Sequence, residues 1–366
     1  MRWGTGSVRA SRLSLVAALV VGGWLVVVGP AEARAPAPAV RAVPLRQAWP
    51  AARIADSPGR LADGADYLPV LYLDPQTSLG TAATPDGAAR RLVLRGPGGE
   101  RELRRVDARQ FPQFFGFTRA GDAVYWAEST TTVGGPVETR LFRAPLDGPA
   151  TQILAPADAG AATFFGTQDD LVVADGRVYW AASAGAATEI RSVPVAGGPV
   201  TVRRVEGEYR LSAWPWLRTV PGAKGALQLL DLRTGARVSV PASAAEQLVC
   251  GPVWCRSVVT TGSDQATIYE LVRTDGSDRR RVGDSWVSAA VPDVALLDRF
   301  EPLLQIADPA APASPRRLVL YDLRRDSLIT IAEDVGGVMA GQSLLWWKTG
   351  TGPGAAWHSL DLSTLD

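Results

Sequence analysis

Three short motifs recur in the same order about 50 residues apart, and no other feature of this 366-residue chain restricts its fold as tightly. Phe114-Phe115-Gly116 is answered by Phe164-Phe165-Gly166, and Val124-Tyr125-Trp126-Ala127 by Val178-Tyr179-Trp180-Ala181. Downstream, Arg143-Ala144-Pro145-Leu146-Asp147-Gly148 is answered by Ser192-Val193-Pro194-Val195-Ala196-Gly197. A fixed period of about 40–50 residues carrying short apolar strands is the signature of sheets that bury their faces on one another. Each unit reads as four strands: Phe-Phe-Gly leads into strand A, Val-Tyr-Trp is B, and Thr139-Arg140-Leu141-Phe142 is C. The segment after an Asp/Gly turn is D. That C–D turn continues along the chain at Gly98, Gly148, Gly197, Gly235, Gly276, Asp326 and Ser363, in steps of 50, 49, 38, 41, 50 and 37 residues. The spacing predicts an all-β propeller of seven four-stranded blades. Six blades is the alternative, because the 37- and 38-residue steps could hide a degenerate unit.

A ring must close. Leu360-Asp361-Leu362 reads as strand C of the last unit, and four residues follow it. The segment around Val40–Ala55 is expected to supply the missing strand, giving N-to-C closure and a single domain over 51–366. The apolar run from Tyr67 to Leu73 then opens blade one. Arg104-Arg105-Val106, Arg203-Arg204-Val205 and Arg280-Arg281-Val282 each fall on an outer strand, where charge deters edge-to-edge pairing. Lys+Arg 38 against Asp+Glu 37 leaves no basic field that would attract nucleic acid, so these doublets read as edge protection.

Residues 1–33 read as an export signal. Arg2, Arg9 and Arg12 precede an uncharged apolar run of 16 residues, Leu13 to Val28, which is short for a span of about 20. Pro30 and Ala31-Glu32-Ala33 follow, placing cleavage after Ala33 and leaving a soluble, secreted, monomeric product; an uncleaved N-terminal membrane anchor is the alternative. Residues 34–50 are Pro/Ala-rich and begin as an extended lead. In an oxidising compartment the two cysteines, Cys250 and Cys255, are expected to form a disulfide. They flank Gly251-Pro252-Val253-Trp254, a turn that lets a tight hairpin bring them together. Two buried free thiols is the alternative.

With Tyr-Trp on strand B and a Pro-Leu-Asp-Gly or Pro-Val-Ala-Gly-Gly turn downstream, residues 110–210 resemble the TolB-like and YWTD-like propellers. The sequence departs from YWTD by having Ala127-Glu128 and Ala181-Ala182 where that pattern has Thr-Asp, so the Asp that ties neighbouring blades in that family is missing. The resemblance implies an exported scaffold that binds protein or glycan; the fold itself hosts many chemistries.

Catalytic signatures are sparse. The single histidine, His358, reads as a strand histidine, and no G-x-S-x-G, H-E-x-x-H, Walker-type loop or aspartate box occurs. Glycines 96, 98 and 99 sit in a hairpin turn without a following helix, which argues against phosphate binding. The carboxylates Glu128, Asp169, Asp170 and Asp264 lie in candidate loops; converged on the axis they could meet Ca²⁺ or a sugar. Trp126 and Trp180 read as core. Trp214 and Trp216 flank Pro215 in a connection, and Phe114 and Phe115 in the run Phe-Pro-Gln-Phe-Phe-Gly-Phe are placed to line the inner mouth of the ring. These readings favour a binding module of unidentified protein or glycan ligand without a cofactor, recognising it with the B–C loops 128–137, 183–187, 261–266, 308–316 and 349–355. The alternative is a hydrolase, lactonase or lyase using loop carboxylates with Ca²⁺. A quinoprotein-like dehydrogenase has no specific support.

Overall fold

Apolar runs broken by turn residues fold into seven sheets built from antiparallel strands consecutive in the chain, two of which also take a strand from the amino-terminal segment. The computed structural model describes residues 42–366 except 221–226, 262–265, 309 and 312–314. The expected leader, its cleavage site and Asp264 lie outside the described residues. Blades 1 to 6 span 68–107, 113–154, 161–206, 209–239, 246–284 and 287–332, and 335–361 supplies three strands of blade 7. Six of the seven turns identified from spacing join the third and fourth strands of a blade, and the last, at Ser363, follows strand C of blade 7. The chain is a seven-bladed propeller, and the short steps hide no missing unit.

Closure occurs one step later than the sequence suggested. Ile54–Pro58 is the fourth strand of blade 7, with Ile54 opposite Leu360 and Pro58 opposite Ala356. Upstream, Val43–Pro44 adds a parallel strand to the outer edge of blade 6, opposite Ile329 and Thr330. The reason lies in the turn between them, where Leu45 and Trp49 are buried against the core shared by blades 6 and 7. Trp49 meets Phe300 edge-on, with ring centroids 5.9 Å apart. His358 of blade 7 bridges the closing strand, its ring nitrogens 2.7 Å from Asp56 Oδ1 and 2.7 Å from Thr349 Oγ1.

Apolar cores sit between blades. Leu79 and Leu92 of blade 1 meet Val124 and Trp126 of blade 2, and Tyr125 and Leu141 of blade 2 meet Val178 and Trp180 of blade 3. Tyr72 of blade 1 joins Trp346 and Trp357 of blade 7, which completes the circuit. Trp126 and Trp180 are fully buried, as their matching positions implied.

The arginine doublets do more than guard an edge. Arg104 binds Glu128 of blade 2 through two hydrogen bonds of 2.7 and 2.8 Å. Arg280 donates to the Leu323 carbonyl of blade 6 at 2.6 Å, and Arg203 donates to the Leu232 carbonyl of blade 4. The first arginine of each doublet therefore ties its blade to the next.

Cys250 and Cys255 form a disulfide across the hairpin that opens blade 5. No helix among the described residues is long and apolar enough to cross a membrane.

Candidate functional site

The second Phe-Phe-Gly motif builds the site. In blade 2 the first copy stays within strand A, Gln113–Ala120, as an irregularity between Phe115 and Thr118. In blade 3 strand A breaks into Ala161–Ala162 and Val172–Ala174, both paired to strand B, and residues 163–171 leave the ladder. Phe164 of this excursion stacks on Phe115, with centroids 5.5 Å apart and planes 9° from parallel. Gly116 has φ +56°, and a Cβ there would lie 3.0 Å from Leu171 Cβ, so the close approach requires glycine.

Asp170 holds the excursion in shape. Its carboxylate accepts from the amides of Phe165, Gly166 and Thr167 at 2.7, 2.6 and 3.3 Å, and from the Thr167 hydroxyl at 2.8 Å. Gln168 then reaches two distant blades. Its amide donates to Asp293 Oδ2 of blade 6 at 3.4 Å, and its side-chain oxygen accepts from the Gln342 amide of blade 7 at 2.7 Å. The excursion thus crosses the axis, and Gln168 and Asp169 line a chamber on each side of it.

The larger chamber, about 360 Å³, is mainly apolar: Phe114, Phe115, Phe117, Trp214, Met339 and Trp346 contribute, with Thr118, Thr167, Gln168, Asp169, Asp170 and Gln342 as its polar lining. The smaller, about 180 Å³, is lined by Gln168, Asp169, Ser212, Arg218, Trp254, Asp293 and Asp298, with residues 294–297 alongside. Trp214, Ser212, Gly251, Pro252, Asp293 and Gln342 come from the connections between strands A and B of blades 4 to 7. The axial chambers therefore draw on A–B connections and not on the B–C loops expected to carry recognition.

Charge is concentrated here. Burial pushes the Asp169 carboxyl up to about 7, with Asp293 and Asp170 raising it further and Arg218 opposing. Burial also raises Asp293 and Asp170. Arg218 is lowered to about 10 by burial and by Arg210, the residue directly opposite it on the neighbouring strand. Among the described residues, no group of three or more His, Cys, Asp or Glu side chains is placed to hold a metal ion.

Of the residues singled out in sequence, Phe114, Phe115, Trp214, Asp169 and Asp170 meet at the larger chamber. Trp214 also packs on Tyr179, with centroids 4.1 Å apart. Glu128 does not join them. It lies in strand B of blade 2 and not in a loop, 1% exposed, and both its oxygens face Arg104. Trp216 opens strand B of blade 4 and packs toward the disulfide.

Sequence reasoning missed Arg210, Arg218, Asp293, Gln168 and Gln342. A signal for Arg218 was present: Trp216-Leu217-Arg218-Thr219 and Trp254-Cys255-Arg256-Ser257 are equivalent runs, each starting the ladder between strands B and C of its blade.

No protein-family model matches the sequence, and no curated protein matches it. Among solved structures, a puromycin-hydrolysing peptidase of Mycobacterium tuberculosis aligns with TM-score 0.53 and 16% identity, covering 89% of this chain and 55% of that one. A structure from a study of two prolyl endopeptidases aligns with TM-score 0.50 and 12% identity, covering 87% and 48%. This chain spans about half the length of each. TolB of Acinetobacter baumannii also matches, with TM-score 0.35 and 12% identity, covering 76% and 78%. What the chain shares with the two peptidases at these identities is the β-propeller fold.

Proposed function

We propose that the protein is an exported binding module that accepts an apolar side chain of a protein partner in the larger axial chamber. The observation that carries this is the chamber's lining: aromatic and aliphatic groups from blades 1, 2, 4 and 7 surround about 360 Å³. Ligand pockets combine an apolar wall with a small number of oriented polar groups. Ligand-observed NMR with indole and benzene as probes tests it. Saturation transfer to both is expected, with loss in Met339→Arg, which fills the chamber; no transfer from the unmodified protein overturns the reading. Export is supported by the leader-like segment and the disulfide. N-terminal sequencing of secreted protein should start at Arg34.

One observation favours the hydrolase or lyase alternative. Asp169 titrates near neutrality in a cleft, where a general acid or base is best placed. Asp293 lies near it, while Asp170 is held by its amide and hydroxyl donors. Hydrolytic or lyase turnover abolished by Asp169→Asn would establish that alternative.

A further inference from the structure

Arg218 and Arg256 occupy equivalent positions in adjacent blades, and they are satisfied differently. Arg256 Nε donates to Glu301 Oε1 of blade 6 at 2.6 Å, and Nη2 donates to the carbonyls of Val291 and Asp293. Glu301 follows Phe300, which opens its B–C ladder as Trp254 opens that of blade 5. The position in blade 5 that corresponds to Glu301, and would serve Arg218, is therefore Cys255. It is locked in the disulfide.

Arg218 is left 3% exposed with one hydrogen bond, from Nη1 to the Cys250 carbonyl at 2.8 Å, and its Nε has no partner. Arg210 opposite it is 8% exposed, and among the described residues its side chain makes no hydrogen bond and no ion pair. Leaving a buried cation without a carboxylate is costly. Across the smaller chamber the situation is reversed. Asp169 accepts no hydrogen bond among the described residues, and Asp293 accepts only the long one from Gln168. Among the described residues neither acid forms an ion pair with Arg218, and all three residues line a space of about 180 Å³.

We propose that this chamber binds a free α-amino acid as its zwitterion. The ligand carboxylate meets Arg218, as Glu301 meets Arg256, and the ligand ammonium meets Asp169 and Asp293. The volume is below the range of about 300–1,000 Å³ of drug-sized pockets, which fits a molecule of this size. A neutral polyol would bridge the same atoms but would compensate neither charge. The site shares Gln168 and Asp169 with the apolar chamber, but the proposal for that chamber rests on its aromatic and aliphatic wall, which indole and benzene test without this site.

Calorimetric titration of the full secreted chain with L-alanine, acetate and ethylamine tests it. Alanine is expected to bind at least about tenfold more tightly than either half. Arg218→Lys, which keeps the charge and loses Nε, and Asp169→Asn should each weaken alanine about tenfold or more, with near-UV circular dichroism unchanged. Equal binding of acetate would make this a plain anion site, and equal binding of ethylamine a plain cation site. No binding of alanine at millimolar concentration would mean that the chamber holds only water. Any of these three results overturns the proposal.

Discussion

Truncating the two equivalent arginines should have very different consequences. Arg256→Met strands Glu301, whose carboxylate is fully buried and keeps only the Tyr269 hydroxyl at 2.9 Å and the Ala295 amide at 2.8 Å. Removing one member of a buried, hydrogen-bonded ion pair costs about 3–5 kcal/mol. Arg218→Met gives up one hydrogen bond to the Cys250 carbonyl, worth about 1 kcal/mol. It also removes a desolvated charge that has no acid within contact distance, an offset of similar size, so the net change should stay within about 1 kcal/mol. Urea unfolding followed by tryptophan fluorescence reads the difference as a shift in midpoint at constant slope. For a domain of more than about 250 residues, about 2 °C per kcal/mol puts Arg256→Met roughly 5–10 °C below the parent in Tm, and Arg218→Met within about 2 °C of it. Equal losses for both variants would refute the claim that Arg218 lacks an internal partner, and with it the reason for expecting a ligand there.

Asp169 titrates near 7 in the folded chain against about 3.9 unfolded, so between those values the folded state holds the extra proton and stability falls as pH rises. Asp169→Asn should flatten that fall, measured as urea midpoints from about pH 4 to pH 8; an unchanged profile would show that Asp169 is not the group responsible. Reducing the disulfide, which closes a loop of five-residue separation, should cost about 2 kcal/mol on chain-entropy grounds, seen as a lower Tm in dithiothreitol. Trp49→Ala should cost about 3–5 kcal/mol, because a 4% exposed indole packed on Phe300 leaves a void where the amino-terminal segment is fastened. A chain starting after Pro58 should lose the sharp unfolding transition altogether, since blade 7 then lacks its outer strand.

The ring was legible because its punctuation is local. Turn residues such as Gly148, Gly197 and Gly235 carry a left-handed or tight backbone requirement that survives when the strands between them diverge. The disulfide was legible for the same reason, since Cys250 and Cys255 sit across one hairpin. The aromatic half of the site was legible through the repeat, because Phe114 and Phe115 were matched by Phe164 and Phe165. The charged half was not. Asp293 lies in the A–B connection of blade 6, where no repeated motif marks it, and it meets Gln168 across 125 residues of sequence. Glu128 was misplaced because a charged residue at the end of an apolar run looks like the start of a loop. Only the Arg104 side chain of the preceding blade explains how strand B continues through it. Arg218 went unread because nothing in its own strand marks it; only the equivalent Arg256, bonded to Glu301, shows what such a position uses as a partner.

Ile54 and Leu360 stand opposite each other with nearly all of the ring between them in sequence. As the chain is synthesised, six blades can assemble in order, each on the face of the one before, but the seam waits for the final strand to emerge. Until then the indoles of Trp346 and Trp347 have no completed wall around them, and Ile54–Pro58 must stay unengaged. A factor that shields Ile54–Pro58, or one that grips it, would therefore set when the ring becomes whole.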